Sequence, residues 1–459
     1  MGALARGDVQ RQALSKWTGR LQGGSGDGSD SGAGVSDTDR SESRKAVSAP
    51  ETAPIPKAPP TPPPEAPTAR SSSSAEAASP EPASLATPPT PAAIFLAFLR
   101  LGVTSFGGPA MIVYIRNMTV NKKRWVTGET FNDGVALCQA IPGATAMQSS
   151  AYVGLQVRGF SGAAAAFTGF GLPAFVFVLG LAVLYQIGHG APLVISLLSG
   201  LRAVVVALVA NAAVNFAQTT IKKWWGLAVV AAAAAALYFK VSPIFVILAA
   251  AALGLALPLG TQKPGGDRQS GKQRTFLRPL LTLVGVVVVA LGVLAALDWP
   301  LFKLAVTVLR IDLFAFGGGF ASLPIMQHEF VDVHHWVTAK VFIDGIAVGQ
   351  VTPGPIVTTA TFVGYMYLGF MGAVIATLCI FLPSFVLLVF VTPYFDRIKR
   401  NRFFNRAIAG ILLSFVGLLL AVTVRLGLNV TWEIWTAILA VAAFVALRLK
   451  ADIMWVVLG

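Results

Sequence analysis

The chain has 459 residues, of which 55% are hydrophobic and only 12% are charged, whereas a soluble globular domain carries about 25% charged residues. Its formal net charge of +14 lies largely in loops between apolar runs, where Lys and Arg mark the cytosolic side of a membrane, so nucleic acid is not a predicted partner. The composition thus excludes a soluble domain, and continuous rather than alternating apolar runs exclude a β-barrel. We expect an all-α polytopic membrane protein whose surroundings are the lipid bilayer.

Residues 1–91 form a segment of their own, rich in Ser, Pro and Gly. Such a segment has too little apolar surface to fold, so we predict a disordered tail. It contains no apolar core of a secretory signal. We therefore predict a cytosolic tail and a plasma-membrane location, and an organelle transit peptide over residues 1–20 is the alternative.

From residue 92 onward, apolar runs of roughly 20 residues recur, the length that a spanning helix needs. The predicted spans are 94–115, 131–157, 162–186, 193–217, 223–239, 243–258, 280–297, 300–325, 342–368, 371–395, 405–424 and 430–448. They group into a first repeat (92–258), a basic linker (259–279), one extra transmembrane helix (280–298) and a second repeat (299–459). The last ten residues match 240–249, so we expect the second repeat to be truncated at its C-terminus.

The two repeats carry the same sequence features about 210 residues apart. The matched pairs include Phe106-Gly-Gly and Phe316-Gly-Gly, Trp125 and Trp336, Gln139-x-x-Pro-Gly and Gln350-x-x-Pro-Gly, Gly154 and Gly364, Gly159 and Gly369, and Pro173 and Pro383. Seven predicted spans separate matched helices, and an odd number of crossings gives the repeats opposite orientations. Two inverted helical repeats with Gly/Pro-broken helices at the centre are typical of a transporter with its site at the repeat interface.

Loop charge predicts that the N-terminal side is cytosolic, because most basic loops then face the cytosol. The exception is the basic cluster 116–124, which would face the other way if 94–115 crossed fully. Spans 94–115 and 131–157 are interrupted by Gly and Pro, and re-entrant segments are the alternative.

The paired Gln-x-x-Pro-Gly breaks are the first candidate site. A helix broken within the membrane exposes free N–H groups at the positive end of its second half, and these bind anions. The predicted binding residues are Gln139, Pro142, Gly143, Gln350, Pro353, Gly354, Pro355, Thr358 and Thr359. The alternative is a pair of proline kinks that only serve helix packing.

Glycine turns and ionisable residues supply further candidates. Gly107, Gly108, Gly317 and Gly318 either allow close helix approach or face an oxyanion. Arg100 and Arg310 match between the repeats and could pair with a dianion. Asp133, Asp344 and the unmatched Asp312 are candidates for proton or ion coupling. For the four matched residues, a position at the membrane interface is the alternative.

Other chemistry is not indicated by the sequence. The histidines at 328, 334 and 335 follow no standard metal-ligand spacing, and no phosphate-binding loop, cofactor motif or convergent catalytic set is present. We expect no enzyme activity and no cofactor, and energy from an ion gradient or from exchange.

The motifs Leu101–Pro109, Leu137–Gly143 and Ala347–Gly364 strongly resemble those of the chromate ion transporter (CHR) family, and the resemblance covers about residues 92–459. It implies an integral membrane transporter of chromate, a tetrahedral oxyanion with the shape and charge of sulfate. In bacteria the family implies resistance by efflux, and some eukaryotic members are associated with uptake. A sulfate exchanger that accepts chromate as a mimic and a passive anion channel are the alternatives. A homodimer is an assembly that the sequence leaves open.

Overall fold

The computed structural model describes residues 89–106, 110–188, 192–256, 277–449, 451 and 456. The predicted tail, apart from its last three residues, and most of the predicted linker lie outside these ranges. Within them, every regular element is helical, so the predicted all-α fold is confirmed. Five helices are long and apolar enough to cross a membrane: 145–188, 196–220, 277–297, 356–394 and 402–428.

The first repeat contains seven helices in the described residues. They are α1 (Pro91–Thr104), α2 (Ala110–Arg116), α3 (Gly128–Ala140), α4 (Thr145–Gly188), α5 (Pro192–Thr220), α6 (Trp224–Tyr238) and α7 (Pro243–Ala256). A π-helical turn, Asn117–Lys122, extends α2.

One helix, α8 (Leu277–Leu297), precedes the second repeat and corresponds to the extra predicted helix. The second repeat then contains α9 (Trp299–Leu313), α10 (Ser322–Gln327), α11 (Ala339–Val351), α12 (Thr359–Val391), α13 (Phe395–Arg400), α14 (Arg402–Leu428) and α15 (Ile434–Arg448). A π-helical turn, His328–Val333, extends α10 as its counterpart extends α2.

Helix α4 is two antiparallel helices joined by a two-residue reversal at Arg158 and Gly159. Gly159 has φ 65° and ψ −150°, a conformation that only glycine adopts readily. The chain folds back there so tightly that a Cβ on Gly154 or Gly162 would overlap the backbone of the other. Helix α12 repeats this reversal at Gly369, with the same contact between Gly364 and Gly372. Glycine is thus required at these positions because the two arms touch through their backbones.

Helices α3 and α11 are too short to cross the bilayer, since 13 residues extend only about 20 Å. The chain reverses after each of them, so that the following helix packs antiparallel against it. Gly134 contacts the Tyr152 ring, and Gly345 contacts the Phe362 ring, although both pairs lie well away from the break between their helices. A helix running straight on would hold these residues far apart. The predicted spans 131–157 and 342–368 are therefore re-entrant hairpins.

Another re-entrant hairpin lies at the start of each repeat, formed by α1 and α2 in the first repeat and by α9 and α10 in the second. In the second repeat, Arg310 Nη2 lies 3.7 Å from Glu329 Oε1, and Thr307 Oγ1 lies 3.4 Å from His334 Nε2, so α9 and α10 with its π-turn run antiparallel. In the first repeat, the ring centroids of Phe98 and Trp125 lie 6.4 Å apart. The predicted crossings 94–115 and 300–325 are therefore wrong as full crossings, because α2 packs back beside α1 and α10 packs back beside α9.

The long arms of α4 and α12 pack antiparallel at the centre of the molecule. The Phe160 ring contacts Phe385 at a centroid separation of 5.6 Å, and further along α4 the Phe167 ring contacts the earlier Phe381 at 6.0 Å. Equivalent helices of the two repeats thus run in opposite directions. These contacts confirm the predicted inverted arrangement of the two repeats.

The re-entrant hairpins change which loops share a membrane side. Arg158, at the far end of the hairpin formed by α3 and the first arm of α4, donates from Nη1 to the carbonyl of Pro89 at 3.0 Å. Both hairpins therefore return to the side on which α1 begins. The basic cluster 116–124 lies on that side too, which removes the exception that a full crossing of 94–115 would create.

Candidate functional site

The breaks of the two repeats meet at the interface between them. We call residues 141–144 tip 1, residues 352–355 tip 2 and residues 317–319 the glycine turn. Gly318 of the glycine turn lies against Thr145 at the start of α4, and Gly319 lies against Ile356 beyond tip 2. The structure therefore brings together three of the four predicted breaks. Gly107 and Gly108 lie outside the described residues.

Each tip presses on the proline-containing helix of the opposite repeat. Gly143, with φ +120°, contacts Ser384 of α12, and Gly354, with φ +137°, contacts Ala174 of α4. Ser384 and Ala174 are equivalent positions, so these contacts are related by the repeat symmetry. Neither position has room for a Cβ, and the positive φ independently favours glycine. The matched glycines thus allow close backbone approach at the interface between the repeats.

Backbone amides converge at tip 1. Gly143 N donates to the Ala315 carbonyl of the other repeat at 2.9 Å, and Ala144 N donates to Ser384 Oγ at 3.1 Å. The first helical bond of α4 runs from Gln148 N to the Ala144 carbonyl. The amides of residues 145–147 therefore have no partner within the helix, and they form its positive end. This end is suited to holding an anion.

Thr358 and Thr359, which follow tip 2, are buried, and each hydroxyl donates to a backbone carbonyl of its own segment. Thr358 Oγ1 donates to the Pro355 carbonyl at 2.9 Å, and Thr359 Oγ1 donates to the Ile356 carbonyl at 2.8 Å. This is the bonding expected of hydroxyls that serve packing. Their oxygen lone pairs can only accept, so these hydroxyls as placed give an anion no donor.

The tip glutamines differ between the repeats. Gln350 is buried, whereas Gln139 is exposed to a cavity of about 470 Å³. Its lining includes Lys222 and Lys223, which are exposed on the side where α1 begins, and Leu412, ten residues into α14. Leu412 also contacts Gly317 of the glycine turn. The cavity therefore leads from a basic surface to the converging breaks.

Asp344 belongs to a buried ion pair between the repeats. Arg202 donates from Nε to Oδ1 at 2.5 Å and from Nη2 to Oδ2 at 2.7 Å, and Tyr185 donates to Oδ2 at 2.9 Å. Asp344 is fully buried and Arg202 is 8% exposed. The bidentate geometry satisfies both carboxylate oxygens. We call these three residues the Asp344 lock.

The first repeat has no equivalent of this lock. Asp133, the counterpart of Asp344, is exposed. The positions equivalent to Arg202 and Tyr185 are Leu412 and Phe395, which cannot donate a hydrogen bond. The two repeats therefore have the same backbone fold, but the residues of the Asp344 lock are replaced at the equivalent place on the interface.

Arg100 and Arg310 lie away from the tips. Both are exposed, and the Arg310 side chain is half exposed beside Glu329. The neighbouring histidines belong to a charged group, in which His334 lies 3.6 Å from Glu329 and Asp332 pairs with Arg425 at 2.5 Å. The structure therefore does not bring the matched arginines to the breaks.

Asp312 is fully buried beside tip 1. Its Oδ2 accepts from Ser384 N at 2.8 Å and from Ser384 Oγ at 2.7 Å. The same serine hydroxyl accepts from Ala144 N. One serine thus connects an acidic side chain of the second repeat to the helix start of the first.

Comparison with known proteins agrees with this architecture. The sequence model of the family described as chromate transporter matches residues 92–255 and 302–459, which are the two repeats. The chain belongs to the chromate transporter family. No solved structure matches it.

Among the family's curated proteins, an uncharacterized transporter of Methanocaldococcus jannaschii is 42% identical over 373 residues, covering 81% of this chain and 92% of the relative. A chromate transport protein of Cupriavidus metallidurans is 31% identical over 367 residues, covering 78% and 87%. A probable chromate transport protein of Synechococcus elongatus is 28% identical over 353 residues, covering 76% and 88%. The resemblance read from the motifs is thereby confirmed.

Sequence reasoning did not find the partners of the predicted aspartates. Arg202 and Tyr185 lie 142 and 159 residues before Asp344 in the chain, and Ser384 lies 72 residues after Asp312. The available signal was Arg202 itself, a charge inside an apolar run, which in a membrane protein calls for a partner. Ser384 carried no such signal, because serine is common in membrane helices.

Proposed function

We propose that this protein carries chromate, or an oxyanion of the same shape and charge, across the membrane by secondary active transport. The observation that carries the proposal is the meeting of tip 1, tip 2 and the glycine turn between two inverted repeats. Broken helices at the interface of inverted repeats are where secondary transporters bind their substrates. Alternating access would then follow from one repeat rocking against the other around the tips.

The chemistry of the tips favours an anion. The free amides at the start of α4 and the glycines of the turn offer N–H donors without a charged side chain, as in helix-terminus and nest sites for oxyanions. The Cupriavidus metallidurans and Synechococcus elongatus relatives, named for chromate transport, support chromate as the substrate. Sulfate has the same tetrahedral geometry and charge, so these donors would accept it too.

The proposed binding residues are those at the breaks, namely Gln139, Pro142, Gly143, Gln350, Pro353, Gly354, Pro355, Gly317 and Gly318. We do not include Arg100 and Arg310, because both are exposed and Arg310 faces Glu329. Arg202 is also committed to Asp344. Helix ends and amide donors, rather than guanidinium groups, therefore carry the anion in this proposal.

We infer that the side on which α1 begins is cytosolic and that the membrane is the plasma membrane. With re-entrant hairpins, the basic cluster 116–124, Lys222, Lys223 and the cluster 397–402 all lie on this side, as the positive-inside rule requires. The cavity lined by Gln139 then opens to the cytosol. The tips would be reached from the cytosol in this conformation.

Flux measurements on Gln139→Ala test the site. Because Gln139 is exposed to the cavity, its removal is not expected to disturb folding, and loss of one hydrogen bond to a charged substrate costs about 1.5–3 kcal/mol. We expect radiolabelled chromate flux into proteoliposomes to fall roughly tenfold at subsaturating chromate. Asn132→Ala, an exposed amide on the same helix that does not line the cavity, is the matched control.

Internal sulfate decides between the alternatives in the same assay. Stimulation of chromate entry by sulfate inside the vesicles would support an exchanger that accepts both anions. Flux that follows the chromate gradient alone, unaffected by internal sulfate or by an ion gradient, would indicate a channel. Equal flux in Gln139→Ala and Asn132→Ala would remove the cavity from the pathway.

The lysines at the cavity mouth should act on substrate capture. We expect Lys222→Gln/Lys223→Gln to raise the KM for chromate several-fold at low ionic strength, since a positive entrance concentrates anions. The difference from the unmodified protein should shrink in high salt, because exposed charges are screened within about 10 Å at 0.1 M. Initial rates at two salt concentrations measure both effects, and a salt-independent difference would contradict electrostatic capture.

A further inference from the structure

Two buried acceptor oxygens beside tip 1 lack a donor. Asp312 Oδ1 has no hydrogen-bond partner, although the residue is fully buried. Gln148, also fully buried, donates from Nε2 to the Pro142 carbonyl at 2.6 Å, and its Oε1 has no partner. A buried acceptor without a donor costs about 1–3 kcal/mol, and more when it is charged. Two of them in one cluster favour a bound donor, such as a proton, at this position.

Both side chains contact the same residue. Asp312 Oδ2 accepts from Ser384 N and Oγ, and Gln148 Nε2 lies 3.5 Å from the Ser384 carbonyl. The amide orientation is fixed, because turning it over would oppose its oxygen to the Pro142 carbonyl. The free oxygens of Asp312 and Gln148 therefore both lie around Ser384, on opposite repeats.

The charge on Asp312 has no counter-charge. Among the described residues, no cation lies within ion-pair distance of it. The ionisable groups on its own helix and on the helices packed against that helix are Arg310, Lys303, Arg278, Cys379, Tyr365 and Tyr367. Arg310 pairs with Glu329, and none of the others donates to Asp312 in the hydrogen bonds of the described chain.

We propose that Asp312 is the proton-binding group that couples transport to the proton gradient. A proton on Oδ1 removes the uncompensated charge and turns an acceptor without a partner into a donor. Gln148 Oε1 is then an acceptor within the same cluster. A metal cation would instead need several oxygen ligands, whereas the cluster leaves only these two free. This inference rests on the proposed function.

The position of Asp312 gives the sign of the coupling. Ser384 Oγ donates to Asp312 and accepts from Ala144 N, so the carboxylate lies one hydroxyl away from the helix start proposed to bind the anion. An ionised Asp312 repels an anion there, and a protonated one does not. Proton and anion binding therefore favour each other, and the coupling must be reciprocal. The proton taken up from one side is carried with the anion and released to water on the other.

The first repeat has no counterpart of this carboxylate. Its equivalent is Gly102, and a Cβ there would lie 2.6 Å from the Phe170 carbonyl. The backbone around Phe170 therefore fills the space beside Gly102 and leaves no room for an acidic side chain. The duplication therefore provides one proton-binding position, in the second repeat alone.

Asp312→Asn tests the proposal, because the amide keeps the shape of the protonated acid. Its oxygen can accept from Ser384, and its NH₂ replaces the protonated Oδ1 as a donor. We expect accumulation of chromate driven by a pH gradient to be lost in D312N, while exchange flux without a gradient persists and becomes independent of pH. Asp133→Asn, an exposed aspartate with no partner role in the tips, should keep gradient-driven accumulation.

Infrared difference spectroscopy across a pH titration gives a readout that needs no transport. We expect a protonated-carboxyl C=O band that disappears at high pH and is absent in D312N. Ser384→Ala should shift the frequency of this band, which keeps the test open where D312N fails to fold. A band that is identical in all variants, pH-driven accumulation by D312N, or sodium-driven accumulation abolished by D312N would each overturn the proposal. If chromate does not move but the band is present and lost in D312N, the proposed substrate fails and the proton site stands.

Discussion

Arg202→Leu is expected to destabilise the protein by about 3–5 kcal/mol, because it leaves the charge of Asp344 buried without its partner. Asp344 is fully buried, and Arg202 supplies two of the three hydrogen bonds that the Asp344 lock gives it. Leucine is the residue that the second repeat has at the equivalent position, Leu412, so the change introduces no foreign shape. Thermal unfolding of the purified protein in detergent measures the loss.

The double variant Arg202→Leu/Asp344→Asn separates charge from packing. Removing both charges should recover most of the lost stability, because a buried pair replaced as a whole is often close to neutral. Arg448→Leu, which removes an exposed arginine hydrogen-bonded to Asn215, should leave the unfolding temperature almost unchanged. Equal unfolding temperatures for the single and double variants would show that the charge of Asp344 is not what Arg202 stabilises.

Gly354→Ala should abolish most of the transport while the protein still folds. The added methyl group overlaps the Cβ of Ala174, and the φ of +137° is strained for any residue with a side chain. Positive-φ strain costs of order 1–3 kcal/mol, and displacement of tip 2 from α4 adds to it. We expect chromate flux to fall at least roughly tenfold, with normal expression and insertion.

Two companion variants assign the cause. Ala174→Gly in the same chain removes the overlap but not the backbone strain, so Gly354→Ala/Ala174→Gly should recover part of the flux. Gly180→Ala, in open space within the same helix as Ala174, should transport normally. If Gly354→Ala transports as well as Gly180→Ala, tip 2 does not need its close approach and cannot be part of the site as proposed.

The duplicated sequence predicted the architecture well because it marks backbone requirements. Gly143 and Gly354 recur at the positions where positive φ and close approach exclude a side chain, and Gly159 and Gly369 mark matched chain reversals. Hydropathy did not show that these reversals form hairpins. An apolar run of 131–157 has the length of one spanning helix, and its composition is the same whether the chain continues or turns back.

The side-chain chemistry of the site was harder to predict than its backbone. Asp312 and Asp344 were singled out because each is a charge within an apolar segment. Their different environments depend on Ser384 and on Arg202, which come from helices far along the chain. No spacing rule in a single sequence pairs such residues. Asp133 shows the limit, since it matches Asp344 in sequence but is exposed.

The Asp344 lock has a consequence for the cycle. Under the proposed alternating access, two identical inverted repeats would give conformations open to either side that are related by a two-fold rotation and equal in energy. The empty protein would then divide its time evenly between them. The Asp344 lock joins the repeats at one place on their interface, and Leu412 and Phe395 stand at the equivalent place, so the two conformations need not have equal energy. A bias of about 1.4 kcal/mol is enough to populate one conformation roughly ten times more than the other. If the protein works by the proposed alternating access, we expect it to have a preferred resting conformation, and substrate binding must supply the free energy that reverses this preference.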